Sequence, residues 1–174
     1  DFYVALDDSA DSLLIGVGAS VGTTSCIVVD ANGHVTKPLQ PAFLVQKSSN
    51  QTDLAINTAV TITWDTERFD VNADFASNTF TAPVTGKYVL MVNLYMSDFD
   101  GAADYFQVDI VTSNRSMSRI DESSGTEDGY RGNPFSVLVD MDANDTAYVR
   151  IQQGSGAAQA NITTSSHFMG YLAC

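Results

Sequence analysis

The stretch Phe80-Thr81-Ala82-Pro83-Val84-Thr85-Gly86-Lys87-Tyr88-Val89-Leu90-Met91-Val92-Asn93-Leu94-Tyr95-Met96 decides the fold class. Its first half sets a Pro and a Gly around a tight turn, so the chain leaves one strand and enters another. Its second half is the longest apolar segment in the sequence, interrupted only by Asn93. Tyr88, Leu90, Val92, Leu94 and Met96 share one face of a strand and can enter a core. Val89, Met91 and Tyr95 share the other, which an antiparallel sheet would ordinarily leave to water. That second face needs cover, either from a loop of the same chain or from further copies at an oligomer axis.

Outward from this strand the pattern is regular. Strands are predicted near 42–47, 59–64, 78–81, 87–99, 104–113, 116–121, 134–141, 146–153, 157–164 and 166–173. Turn chemistry at 83–86, 98–101, 125–132, 142–145 and 154–156 separates them. Phe106, Val108 and Ile110 alternate with Gln107 and Asp109, the period of a half-buried strand. Residues 1–40 read differently. Short apolar pieces (2–6, 13–17, 26–30) are broken by Gly16, Gly18, Gly22 and Gly33, and Asn32-Gly33 signals a two-residue hairpin. Pieces this short need partners to bury a core. Pro38 and Pro41 then mark a linker. Two domains are expected: a β-rich neck over 1–40 and a head over 41–174.

Composition agrees. The 174 residues include 18 Asp but only 3 Glu and 3 Lys, so surface-helix formers are scarce and turn and strand formers replace them. The class is all-β, an antiparallel sandwich or jelly roll of about ten strands. Acids outnumber bases 21 to 8, for a net charge of −13. Such a surface repels phosphate backbones, which argues against nucleic acid as a partner, and no apolar run is long enough to cross a bilayer as a helix. The first residue is Asp1, without a leader, so a piece of a longer chain is expected. Cys26 and Cys174 are read as two independent thiols.

Trp64, Asp70, Phe75, Phe80, Gly86 and Tyr88 occur in the order of the signature of the globular head of complement component one q, a branch of the tumour-necrosis-factor-like jelly rolls. The stretch therefore resembles that family. Trp64 stands where Phe is usual, and four residues separate Phe75 from Phe80 where six are expected. Pro41-Ala42-Phe43 and Phe168-Met169-Gly170-Tyr171-Leu172 are similar to the family's first and last strands. The resemblance covers about 41–174 and implies a homotrimer, with two further copies meeting along Val89, Met91 and Tyr95. Residues 11–18 and 27–36 are similar to shaft-and-neck stretches of bacteriophage tail fibres, which implies an intertwined neck and a place on a virion beside other tail proteins.

No nucleophile elbow, zincin, phosphate loop or paired-cysteine motif occurs. Scattered Asp and Glu could in principle serve glycoside hydrolysis, but solvated loop acids are the commoner meaning, and no enzyme is expected. Asp98, Asp100 and Asp104 cluster in one loop, and hard oxygen ligands on loops are what Ca²⁺ takes; equally, Asp favours turns. A second such loop holds Asp140, Asp142 and Asp145. The polar segment 122–134 contains Glu127, Asp128, Tyr130 and Arg131, where an aromatic platform beside a fork-shaped donor suits sugar or protein contact. The expected function is attachment: a trimeric fibre tip presenting loops to a host-cell surface receptor, glycan or protein, on a virion or otherwise extracellular. The alternatives are a structural trimerisation knob, a secreted complement-like binding module and a glycan-cleaving appendage.

Overall fold

The computed structural model describes residues 1–123, 125 and 128–174, with Asp128 described by its backbone alone. The chain divides into two compact units, Asp1–Gln40 and Pro41–Cys174.

The first unit is an antiparallel meander of β1 (Phe2–Asp7), β2 (Ser12–Val17), β3 (Ser25–Val29) and β4 (Val35–Thr36), in that order. Each strand finds its partner within the same chain. The Asn32-Gly33 hairpin forms, but its turn runs from Asp30 to His34. The Asp30 carboxylate accepts the backbone N–H of Asn32 and of His34 at 2.9 and 2.8 Å, and Gly33 supplies the positive φ of 82°. One face is closed: Leu14 is buried, and Tyr3 lies over Gly16, donating or accepting at Ser25 Oγ over 3.1 Å.

The second unit is a two-layer sandwich. Its strands are β5 (Ala42–Gln46), β6 (Val60–Thr61), β7 (Thr66–Asp70), β8 (Phe75–Ala76), β9 (Thr79–Thr81), β10 (Gly86–Phe99), β11 (Tyr105–Thr112), β12 (Ser116–Glu122), β13 (Asp128–Met141), β14 (Thr146–Gly154), β15 (Asn161–Ile162) and β16 (His167–Leu172). One sheet runs β13-β10-β16-β5-β7, with β15 added to β10; the other runs β12-β11-β14-β9-β8, with β6 added to β14. Every named pairing is antiparallel. This is the jelly roll expected from the turn spacing, and β10 is an interior strand of the first sheet, between β13 and β16.

The signature residues converge in its core. Phe43 stacks on Phe80 at 4.7 Å and meets Phe168 edge-on at 5.1 Å; Trp64 stacks on Phe168 at 6.1 Å, and Phe80 tilts against Tyr88 at 5.5 Å. The Tyr88 hydroxyl donates back across the turn to the Val84 carbonyl at 2.7 Å. A Cβ on Gly86 would sit 2.8 Å from the Cys174 carbonyl, so only glycine lets the C-terminal strand pass. Asp70 accepts the N–H groups of Asp74 and Phe75 at 3.1 and 2.8 Å and so fixes the bend into β8. The spacing of the signature is the spacing of this aromatic cluster and its two braces.

Three expectations change. Residues 66–70, not expected as a strand, form β7. The segment 122–134 is not a loop throughout, because β13 begins at Asp128. The strand expected over 157–164 is reduced to 161–162, since the chain at 157–160 bends around Asp100 and Gln153. Cys26 and Cys174 are both free.

Candidate functional site

Two surfaces of the second unit stand out. The first is the outer face of the β10 sheet. Register sets its side chains in rows across the strands: Leu138, Val89, Tyr171 and Ala42, then Ser136, Met91, Met169 and Leu44, then Pro134, Asn93, His167 and Gln46. Tyr95 lies beyond these and stacks on Tyr130 at 5.7 Å with the rings 12° from parallel. Phe69, paired with Leu44, is half exposed, as are Tyr171 and Leu138. Charge enters at the margins, where Lys87 faces Asp140 in one end row and Arg68 donates to Gln46 in the other. Val89, Met91 and Tyr95, singled out as interface residues, are therefore brought together on one apolar, unroofed face. The opposite layer presents Gln107, Ser118, Arg150 and Asp109, an ordinary wet surface. There Asp109 is buried under Arg150, whose Nε donates to it at 2.7 Å. Burial alone would raise the Asp109 pKa, but hydrogen bonds from Ser118, Gln107 and Arg150 outweigh it and hold the carboxyl below its ordinary value.

The second surface is the loop end formed by residues 48–59, 98–104, 123 and 154–161. Asp100 organises it. Its Oδ1 accepts the Ala102 N–H at 2.8 Å, and its Oδ2 accepts those of Ala157 and Ala158 at 2.7 and 2.9 Å. These donors depress its pKa against the opposing effect of burial. Gly156, at φ 91°, is required there, because a Cβ would lie 2.3 Å from Asp100 Oδ2. Gln153, fully buried, donates to the Ala158 carbonyl at 2.7 Å and accepts from Ala160 N at 3.3 Å. Ser123 joins the cluster through Gly101 and Asp104, and Asn57 through Ser155 N. The neighbouring Lys47 is buried too, donating to the Thr63 carbonyl at 2.8 Å; burial lowers its pKa, and nearby Asp65 partly offsets this.

This geometry reassigns the remaining expectations. Asp98, Asp100 and Asp104 do not converge as a Ca²⁺ loop. Asp98 accepts from Asn161, the Asp100 oxygens are committed to backbone donors, and Asp104 faces solvent. Among the described residues no group of three or more His, Cys, Asp or Glu side chains is arranged to hold a metal. Tyr130 and Arg131 are not one platform either. Consecutive residues of β13 point to opposite faces, so Tyr130 joins Tyr95 outside. Arg131 turns inward over the Phe99 ring at 4.0 Å, with Asp121 at 3.6 Å. Glu127 lies outside the described residues, and Asp128 is described only as the start of β13. The Asp100 clamp had a sequence signal that was not read as one: an Asp-Gly turn facing a Gly-Ser-Gly turn.

The family description "C1q domain" matches residues 42–173, the whole sandwich. The chain belongs to the C1q-domain family. Solved structures similar to it include the globular domain of zebrafish complement 1qA protein, at 17% identity and TM-score 0.57, covering 78% of this chain and 98% of that one. Murine APRIL at pH 5.0 is similar at 11% identity and TM-score 0.54, over 76% and 98%. At these identities the likeness shows the jelly-roll fold. Comparison with curated protein sequences returns no match. Residues 1–40 fall outside the family match, so the C1q-domain unit accounts for the head alone.

Proposed function

We propose that this chain is the head of a homotrimeric attachment fibre. Three copies pack through the outer face of the β10 sheet and present the Asp100-clamped loop end to a receptor on a cell surface, glycan or protein. The observation that carries this reading is the apolar, unroofed face centred on Met91, with charge confined to its margins. An apolar face of this kind on an interior strand marks an interaction surface. Membership in the C1q-domain family supports a binding module that works through assembly and not through a chemical step. A clamped loop end suits recognition, because loops ordered before contact lose less freedom on binding. Three sites on one rigid head turn weak single contacts into avidity. Tyr130, at the margin of the loop end, is a proposed contact.

We place the fibre on a phage virion, attached to other tail proteins. A second reading, a secreted complement-like binding module, is favoured by the family match itself. Binding of the fluorescently labelled chain to intact bacterial cells and to animal cells separates the two. Saturable binding to bacteria, lost at least tenfold in a Met91→Asp variant, is the outcome expected. Binding confined to animal cells replaces the virion reading with the secreted one, and equal binding by Met91→Asp removes avidity.

A further inference from the structure

The N-terminal unit carries most of its apolar surface on the outside. The register of β1 on β2 sets Val4 opposite Ile15 and Leu6 opposite Leu13, and β2 on β3 continues these rows to Ile27 and Val29. Period two puts all of them on one face, opposite to the face that Tyr3 and Leu14 close. Phe2, Val4 and Leu6 are 87%, 72% and 79% exposed. No charged side chain stands on this face; Asp7 ends β1 on the opposite face, and Asp8, Asp11 and Asp30 lie in the turns at its end.

The exposed apolar area of Phe2, Val4, Leu6, Leu13 and Ile15 together is on the order of 500 Å² per chain. That lies in the upper part of the ~300–600 Å² range of a monomer's largest patch, which is often functional, and amounts to more than half of the ~800 Å² per partner of a standard interface, here in a unit of forty residues. A four-stranded meander with one loop-closed face does not have enough core to leave the other bare.

We infer that this face is buried against the same face of two further copies of the chain, so that three N-terminal sheets enclose a common apolar interior. The stoichiometry rests on the trimer proposed for the head. Gln40 leads directly into Pro41, so a trimeric head holds three such sheets together at an effective concentration on the order of millimolar. The face has the neutrality that self-contact needs, while like charges at its end stay in solvent.

The test uses the full chain with Cys26→Ala and Cys174→Ala, adding Val4→Cys on the apolar face or Thr36→Cys on the opposite one. Each protein is treated with a short bismaleimide and run on a denaturing gel, and its untreated mass is read by light scattering. The expected result is a trimer mass in both, with covalent dimer at least tenfold more abundant through Val4→Cys. A trimer mass with equal cross-linking at the two positions overturns the inference and leaves the head trimer standing; a monomer mass overturns both. Leu6→Cys repeats the experiment if Val4→Cys does not fold, since so exposed a side chain contributes little to packing within one chain.

Discussion

Replacing Asp100 by Ala removes one acceptor group from three backbone donors at once. Ala102, Ala157 and Ala158 reach its oxygens at 2.7–2.9 Å, and the carboxyl is 3% exposed, so water does not take over without opening the loop end. Hydrogen bonds to a charged group are worth about 1.5–3 kcal/mol each, and three that share one acceptor are not additive, so the loss is about 3–5 kcal/mol. For a domain of this size that lowers Tm by roughly 6–20 °C. Asp100→Asn keeps one acceptor oxygen but turns an amide NH₂ toward a backbone N–H, and should lose about 1–2 kcal/mol. The assay is thermal unfolding at fixed protein concentration, with Trp64 fluorescence as the probe, in chelator and in millimolar Ca²⁺. A loss under about 1 kcal/mol for Asp100→Ala would refute the clamp. So would a Ca²⁺-induced rise in Tm that disappears in Asp100→Asn, because the carboxylate would then be a ligand and not a brace.

Further expectations follow from the same geometry. Gly170→Val puts a side chain where a Cβ already lies 2.7 Å from Leu90 Cδ2 and 2.8 Å from Phe43 Cε1; it should cost about 1–3 kcal/mol or more in denaturant unfolding, and wild-type stability would contradict the packing described. Asp100 and Asp109 both have depressed folded-state pKa values. Their contribution is therefore complete above the unfolded carboxylate value of about 4 and is lost as pH falls through the lower folded values. Asp74, raised mainly by burial, contributes in the opposite sense. Net acid destabilisation should begin below about pH 4 and be blunted in Asp109→Asn, as a pH series of Tm would show. Tyr130→Ala removes the stack on Tyr95 at the edge of the assembly face and should weaken cell binding severalfold with the light-scattering mass unchanged; unchanged binding would remove Tyr130 from the contact surface, and a loss of the trimer mass would make it an assembly residue instead.

Much of this was legible in the sequence because its signals come from buried positions. The alternation of β10 and the turn before it announce an interior strand, and Trp64, Asp70, Phe75, Phe80, Gly86 and Tyr88 announce the aromatic cluster they build. The strand readings that failed are edge strands. β7 (Thr-Glu-Arg-Phe-Asp) and the start of β13 (Asp128–Pro134) each have one side free of hydrogen-bonded neighbours. Glu, Arg, Gly and Pro are tolerated there and read as loop. The separation of Tyr130 from Arg131 follows from the same cause, since a loop reading lets neighbours point together and a strand does not. The Asp100 clamp was hidden because its partners are backbone N–H groups, two of the three more than fifty residues away, which have no side-chain identity to read.

The central claim is that the apolar face on β10 is an assembly surface. The most direct measurement is the light-scattering mass of the full chain at micromolar concentration, beside the Met91→Asp variant. The account requires about three times 18.6 kDa for the wild type and a shift to monomer when a charge is placed at the centre of that face. A wild-type mass of a single chain would contradict it.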